Sequence, residues 1–479
     1  MSGRATFLRL SLAAGALLMP YTLDAAANVV LFNADPAGSG FNDPTPVAPV
    51  GGNAGTTLGQ QRLNAFQAAL NIWGATLTSS IDIVVYSTFE PLSCNATSAV
   101  LGSAGPISVF RDFTGAPVAG HWYHNALANK LAGSDLSTGD PSPLNNAEIR
   151  ARFNSNLGTT GCLTGVPFYL GLDNNHGAAI DLIAVVLHEV GHGLGFSTTT
   201  SGTSGNFLAS FPSIYDHYAL DTSTNKLWDQ MTPGERVASA INTGNLVWSG
   251  ANVTGSATSV LQNGAPVMNV ASPGSVAGVY EVGPALFGPP LTPAGVTGEL
   301  MQVVDQANGT GLACSPLSGA NALAVNNNIA LIDRGTCGFT VKVANAQAAG
   351  AKAVVIADNA AGSPPASLGG TDPSITIPSV RITQADGNLL KQALRFRSRT
   401  RSGVSLTLLL DLSRLAGADP TGRVRLFAPN PFQSGSSVSH WDTTATPNLL
   451  MEPAINGDLT HSVIVPQDLT FRQLQDIGW

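Results

Sequence analysis

Charge is scarce in this chain. Of its 479 residues only 11% are Asp, Glu, Lys or Arg, and no basic stripe runs along it. With a formal net charge of −8 and a pI near 5.4, neither nucleic acid nor an anionic membrane surface is expected as a partner. The Arg-rich patch at 395–401 (RFRSRTR) is the exception, and it is short enough to be a solvated loop or strand edge. Long apolar runs are missing too. The run at 10–19 is too short to cross a bilayer and no later one reaches the length needed, so stable membrane insertion is not expected. Cysteine is rare, with four residues, and none sits in a motif of a thiol nucleophile. No acidic run has EF-hand or RTX spacing, so a structural calcium ion, plausible in a loop-rich chain, has no sequence support.

What is present points to export. Arg4 and Arg9 precede or flank the apolar run at 10–19, and Ala25-Ala26-Ala27 offers small residues for cleavage. Residues 1–27 are therefore expected to be a signal peptide, and the mature protein to be secreted, extracellular or periplasmic. Cysteines fit that compartment as disulfides. Cys94 and Cys162 flank one region and Cys314 and Cys337 another, which predicts two local pairs among the three pairings that four cysteines allow.

The segment His188-Glu189-Val190-Gly191-His192 carries the chemistry. It follows an apolar stretch without Gly or Pro, residues 178–187, so a buried helix is expected to hold it. Residues four apart on a helix share a face, and His188 and His192 can direct imidazole nitrogens at one ion. Glu189 then reaches a water at that ion from the adjacent position. Two histidines and a glutamate are costly to bury on an apolar helix unless something charged pairs with them.

Around this motif the chain changes texture. Residues 60–77 have helical spacing with Leu63, Phe66, Ala69, Leu70 and Trp73 on one side, and 80–87 reads as a β-branched strand, with a second strand at 107–110. From about 273, strands at 328–333, 351–357 and 377–382 alternate with helices at 340–349 and 384–394, the pattern of a small α/β core. That block contains no His, and its borders are rich in Pro, Gly and Ser. It resembles the protease-associated (PA) domain through residues 329–339 (IALIDRGTCGF), Lys342, 344–346, 349–351 and 354–359. In that family the cysteine of the Arg-Gly-x-Cys turn is often bonded to an earlier one, which supports Cys314–Cys337.

A catalytic zinc needs a third protein ligand and an open position for water. Glu235 is one candidate, but its surroundings lack further acid groups. The elongated HExxHxxGxxH pattern fails because Thr198 stands at the required position. His217, in the run Ile214-Tyr-Asp-His-Tyr218, is a further rival. A delayed histidine, His440 in Ser-His-Trp-Asp, precedes Leu-Leu-Met-Glu-Pro at 449–453. The motif with Gly193-Leu194-Gly195-Phe196, the long insertion, and then these two segments resemble the leishmanolysin-like branch of the metzincin metallopeptidases. That resemblance implies His188, His192 and His440 as zinc ligands, Glu189 as general base, Gly195 as the helix exit and Met451 as the sulfur floor of a Met-turn. The insertion between Gly195 and His440 exceeds that of plain metzincins, and no propeptide cysteine is placed to plug a zinc.

The expected architecture is α+β: a metzincin-like catalytic domain, residues 28–272 and 416–479, split by a PA domain at 273–415. The expected function is a secreted zinc endopeptidase acting on proteins or peptides. A secreted binding or adhesion protein on an inactive peptidase scaffold is the alternative, against which the intact Glu189 speaks. The remaining histidines have plainer expectations: His121 and His124 as caps or hydrogen-bonding groups near the cleft, and His461 at the surface or cleft wall.

Overall fold

A computed structural model describes residues 26–137, 144, 146–304, 311–361, 365 and 367–479. All of the expected signal segment except Ala26 and Ala27 lies outside the described residues.

The first long helix, Leu58–Thr76, starts where Thr57 accepts the Gln60 N–H, a side-chain cap for an otherwise orphaned donor. Its inner face buries Phe66, Ala69, Leu70 and Trp73, as the spacing predicts. Behind it lies a four-stranded sheet in the order Val29–Asn33, Ile83–Glu90, Ile149–Asn154, Gly102–Pro106. The first three strands are parallel, and the fourth is an antiparallel edge. Strand Ile83–Glu90 alternates buried and half-buried positions, and the Phe89 ring meets Phe41 edge-on at 5.0 Å between centroids.

The edge strand corrects one expectation. The stretch 107–110 contributes only the two-residue strand Val109–Phe110, whereas the principal strand is Gly102–Pro106, sequence GSAGP. Nothing in that composition favours a strand. Backbone pairing with Ile149–Asn154 forms it instead.

The motif helix spans Leu182–Leu194 and every one of its residues is buried. It begins later than the apolar run does. Ile180–Asp181 pairs with Phe168–Tyr169, and the Asp181 carboxylate then caps the helix by accepting the Ile183 and Ala184 N–H groups. Trp73 ties the two helices together by donating its indole N–H to Leu187 O at 3.3 Å.

An eight-stranded mixed sheet occupies the middle of the chain. Its order is Gly278–Glu281, Asn263–Ser272, Ser405–Leu415, Val296–Gln302, Ile329–Asp333, Ala353–Ala357, Ser379–Ile382, Gly283–Pro284. Helix Phe339–Ala348 connects the parallel strands Ile329–Asp333 and Ala353–Ala357, whereas Gln384–Ala393 leads from Ser379–Ile382 toward Ser405–Leu415, which runs antiparallel to its neighbours. Strand Asn263–Ser272 belongs to this sheet although it precedes residue 273. One hydrophobic core joins residues between Ala27 and Leu261 to residues between Ala418 and Ile477. Two other cores draw their buried residues only from Met268 to Leu408. The patch at 395–401 leads into strand Ser405–Leu415, with Arg401 paired to Glu299 at 3.4 Å. Both expected disulfides are present, Cys94–Cys162 and Cys314–Cys337. Among the described residues no helix is long and apolar enough to cross a membrane.

Candidate metal centre

Three histidines from distant parts of the chain meet at the end of the motif helix. His188 and His192 stand one turn apart on it. His440 arrives on the segment after strand Ser405–Leu415, where Phe427 N–H donates to His440 O. The three Nε2 atoms lie 3.1, 3.2 and 3.3 Å from one another. Each Nδ1 is committed elsewhere: to Leu450 O at 2.7 Å for His188, Phe196 O at 2.8 Å for His192, and Ser436 O at 2.7 Å for His440.

Those carbonyls can only accept, so each Nδ1 carries the proton and each Nε2 presents a lone pair. Three lone pairs then face one another in a buried site. Burial, followed by the neighbouring imidazoles or opposed by the backbone partners, holds His188 down at about 4 and His192 at about 3, and keeps His440 well below its ordinary value. Neutral imidazoles cannot relieve that repulsion by protonation near pH 7. A divalent ion can. Imidazole nitrogens about 2.05 Å from a tetrahedral zinc are separated by about 3.3 Å, which matches the spacing found. The donor set and its committed second nitrogens therefore fit zinc.

Glu189 shares the cleft with these nitrogens. Burial pushes its carboxyl up to about 8, against the opposing pull of the Ala104 N–H and of Arg152. A neighbouring cation would draw it back down. The carboxylate has room only because residue 102 is glycine: a Cβ there would lie 2.8 Å from both Glu189 Cγ and Oε1. The cleft has a volume of about 510 Å³ and runs between the edge strand, the motif helix and the segment 453–455. Glu189 is the one charged side chain among the described residues that line it.

The surrounding groups hold this geometry. Gly195 ends the helix at φ +133°, and a side chain there would collide with Ile477 at 2.4 Å. Met451 is buried beneath the helix in the turn closed by Glu452 N–H to Leu449 O. Leu450, whose carbonyl orients His188, is itself fixed by donation of its N–H to Asp468.

The rival ligands lie elsewhere. Glu235 accepts from the Thr232 N–H and from Lys226 in a capping box, and these partners hold its carboxyl down at about 2. Thr198 donates to Asp216 at 2.6 Å. His217 pairs with Asp229 at 2.7 Å, as does His121 at 3.3 Å. His124 donates from Nδ1 to Gly193 O, the carbonyl of a residue in the last turn of the motif helix. His461, partly exposed, meets the capping Asp181 through Nε2 at 2.9 Å. Sequence reasoning also missed Gly102 and the three carbonyls that orient the histidines. A backbone acceptor leaves no mark in residue type.

"Receptor homology region, transmembrane domain- and RING domain-containing protein 1" of Oryza sativa subsp. japonica is 41% identical over 80 residues, 17% of this chain and 15% of that protein. Vacuolar-sorting receptor 2 of Arabidopsis thaliana is 32% identical over 140 residues, 26% of this chain and 22% of the relative. The chain thus spans less than a quarter of either relative's length. Among solved structures, an aminopeptidase from Aneurinibacillus sp. strain AM-1 overlaps with 31% of this chain and 30% of its own, at 29% identity and a TM-score of 0.23. BSAP, a zinc aminopeptidase from Bacillus subtilis, overlaps with 33% of this chain and 36% of its own, at 24% identity and a TM-score of 0.23. Residues 296–390 match the PA domain family. The chain therefore carries a PA domain, placed in sequence between His192 and His440.

Proposed function

We propose that this protein is an exported zinc endopeptidase of the metzincin type, with the PA domain inserted between the second and third zinc ligands at about 273–415. The observation that carries the reading is the convergence of three Nε2 lone pairs beside a buried carboxylate. His188, His192 and His440 would hold the ion. When bound, zinc supplies a Lewis acid for the scissile carbonyl and lowers the pKa of water in the site.

Glu189 is the general base: it takes a proton from the attacking water and hands it to the leaving amine. The Ala104 N–H keeps its carboxylate oriented. Among the described residues, edge strand Gly102–Pro106 has a neighbouring strand on one side only, so an extended peptide can add to the other side within the same cleft. Among the described residues the cleft offers no lysine or arginine to hold a terminal carboxylate, and no second acidic group to hold a terminal amine. That favours internal peptide bonds over chain ends. The two disulfides suit an oxidising compartment.

Casein hydrolysis and zinc content, measured together on the wild type, Glu189→Gln and His440→Ala, test the proposal. Glu189→Gln should keep the wild-type zinc content and lose hydrolysis, and His440→Ala should lose both activity and one zinc equivalent. Hydrolysis that survives Glu189→Gln would overturn the mechanism. Zinc retention with an inactive wild type would favour a binding protein on a peptidase scaffold.

A further inference from the structure

A second histidine cluster lies apart from the first. His121 sits on the segment before helix Asn125–Ala132, His217 follows Asp216 in the turn closed by Tyr218 N–H to Tyr215 O, and Asp229 lies in the short 3-10 helix Trp228–Gln230. His121 and Asp229 are 108 positions apart, yet His121 Nε2 is 3.3 Å from Asp229 Oδ2. His217 Nδ1 approaches the same oxygen at 2.7 Å. The two imidazoles cross at 80° with centroids 5.3 Å apart. In the first cluster the corresponding centroid distances are 4.7, 4.8 and 5.2 Å.

Hydrogen bonding alone accounts poorly for this arrangement. His121 Nδ1 lies 3.0 Å from Ala119 O and must donate to it. A neutral His121 therefore turns the lone pair of Nε2 toward a carboxylate oxygen, so that two acceptors face each other. Asp229 is nine-tenths buried, and both imidazoles crowd onto Oδ2 while Oδ1 is buried with no hydrogen-bond partner among the described residues. One carboxylate oxygen can accept two donors. With His121 neutral, however, one of the two facing groups is a lone pair, and a cation held between Oδ2 and both imidazoles removes that acceptor–acceptor contact.

We propose that His121, His217 and Asp229 form a second site for a divalent transition-metal ion of the zinc class. Two borderline imidazoles with a single hard carboxylate suit zinc, cobalt or nickel, whereas calcium and magnesium take oxygen ligands throughout. Three protein ligands leave a position for solvent, and the partly exposed His217 provides the path inward. The ion cross-links three segments behind the exit of the motif helix. Trp122 N–H donates to Pro212 O within this region, and Asp216 joins it to the segment after that exit by accepting from Thr198 and Thr200.

The test counts zinc on the full chain after chelation and refilling, with zinc alone as the probe. The wild type should take two equivalents. Asp229→Asn, which preserves shape, and His217→Gln should each take one. The His188→Ala/His440→Ala variant keeps a single histidine at the first cluster and an unaltered second one, so it should also take one. One equivalent in that variant, lost when His217→Gln is added, supports the site even if the first cluster proves not to bind metal. No zinc in that variant when its circular dichroism matches the wild type, or a wild-type count that neither Asp229→Asn nor His217→Gln lowers, overturns the proposal and leaves an imidazolium–carboxylate pair.

Discussion

The sulfur of Met451 fills the space against Gly191: a Cβ built on Gly191 would stand 2.9 Å from Sδ and 3.3 Å from Cε. Gly191 lies between Glu189 and His192, so the methionine packs directly on the turn of helix that presents the histidines. Both residues are buried. Gly191→Ala should therefore overpack the site, costing about 1–3 kcal/mol and lowering zinc affinity, because Leu450, adjacent to Met451, orients His188. Adding Met451→Ala should recover part of the affinity. Denaturation and zinc titration of the two single variants and the double variant form a cycle, and strict additivity would mean that the two side chains do not press on each other.

Gly102 has the same relation to the proposed base. Its backbone is ordinary, yet a Cβ would occupy the space of Glu189 Cγ and Oε1. Gly102→Ala should displace the carboxylate by a fraction of an ångström to an ångström. A loss on the order of 10²-fold in kcat is expected from such misplacement, with zinc content unchanged. A wild-type kcat in Gly102→Ala would show that Glu189 is not confined from that side.

Some of this was legible in the sequence and some was not, for physical reasons. The motif helix announces itself because its apolar run and its i, i+4 histidines are local patterns. The middle α/β units are equally plain, since each strand is a short buried run and each helix begins at a Gly or Thr boundary. The helix start at Leu182 was less visible: a capping aspartate three residues after an apolar run begins looks like part of that run. Strand Gly102–Pro106 was hidden because its five residues have no β preference and depend on pairing with Ile149–Asn154. His440 was identifiable only through the company it keeps near Met451. The pairing of His121 with His217 around Asp229 had no signature at all, because tertiary folding alone brings those positions together.

Asp181 does two things at the start of the motif helix. Its Oδ1 accepts two helix N–H groups, and its Oδ2 meets His461 Nε2 at 2.9 Å. Asp181→Ala removes the cap and leaves buried donors unsatisfied. A loss of about 1–2 kcal/mol is expected. Asp181→Asn should recover most of it, since the amide oxygen still caps. Urea denaturation of the three proteins checks the order, and equal stability of the Ala and Asn variants would contradict a capping role.

Glu452 gives the chain a pH dependence outside the histidine cluster. It is 1% exposed, accepting the Leu449 N–H and the Asn456 amide. Burial, aided by the nearby Asp442 and Asp458 charges, pushes its carboxyl up from 4.5 to about 8. In the unfolded chain it ionises near 4.5, whereas in the folded chain it stays protonated to about 8. The unfolded state thus binds fewer protons across that window, and stability falls as pH rises through it. The contribution is fully present below about pH 4.5 and gone above about pH 8. Glu452→Gln cannot ionise, and its amide oxygen can still accept the Leu449 N–H. The stability difference, variant minus wild type, should therefore grow with pH from 4.5 to 8 and level off beyond, reaching a few kcal/mol at most after relaxation around the buried charge. Denaturant unfolding at pH 5, 7 and 9 measures it. A difference that stays flat across the three would mean that Glu452 ionises at its ordinary value.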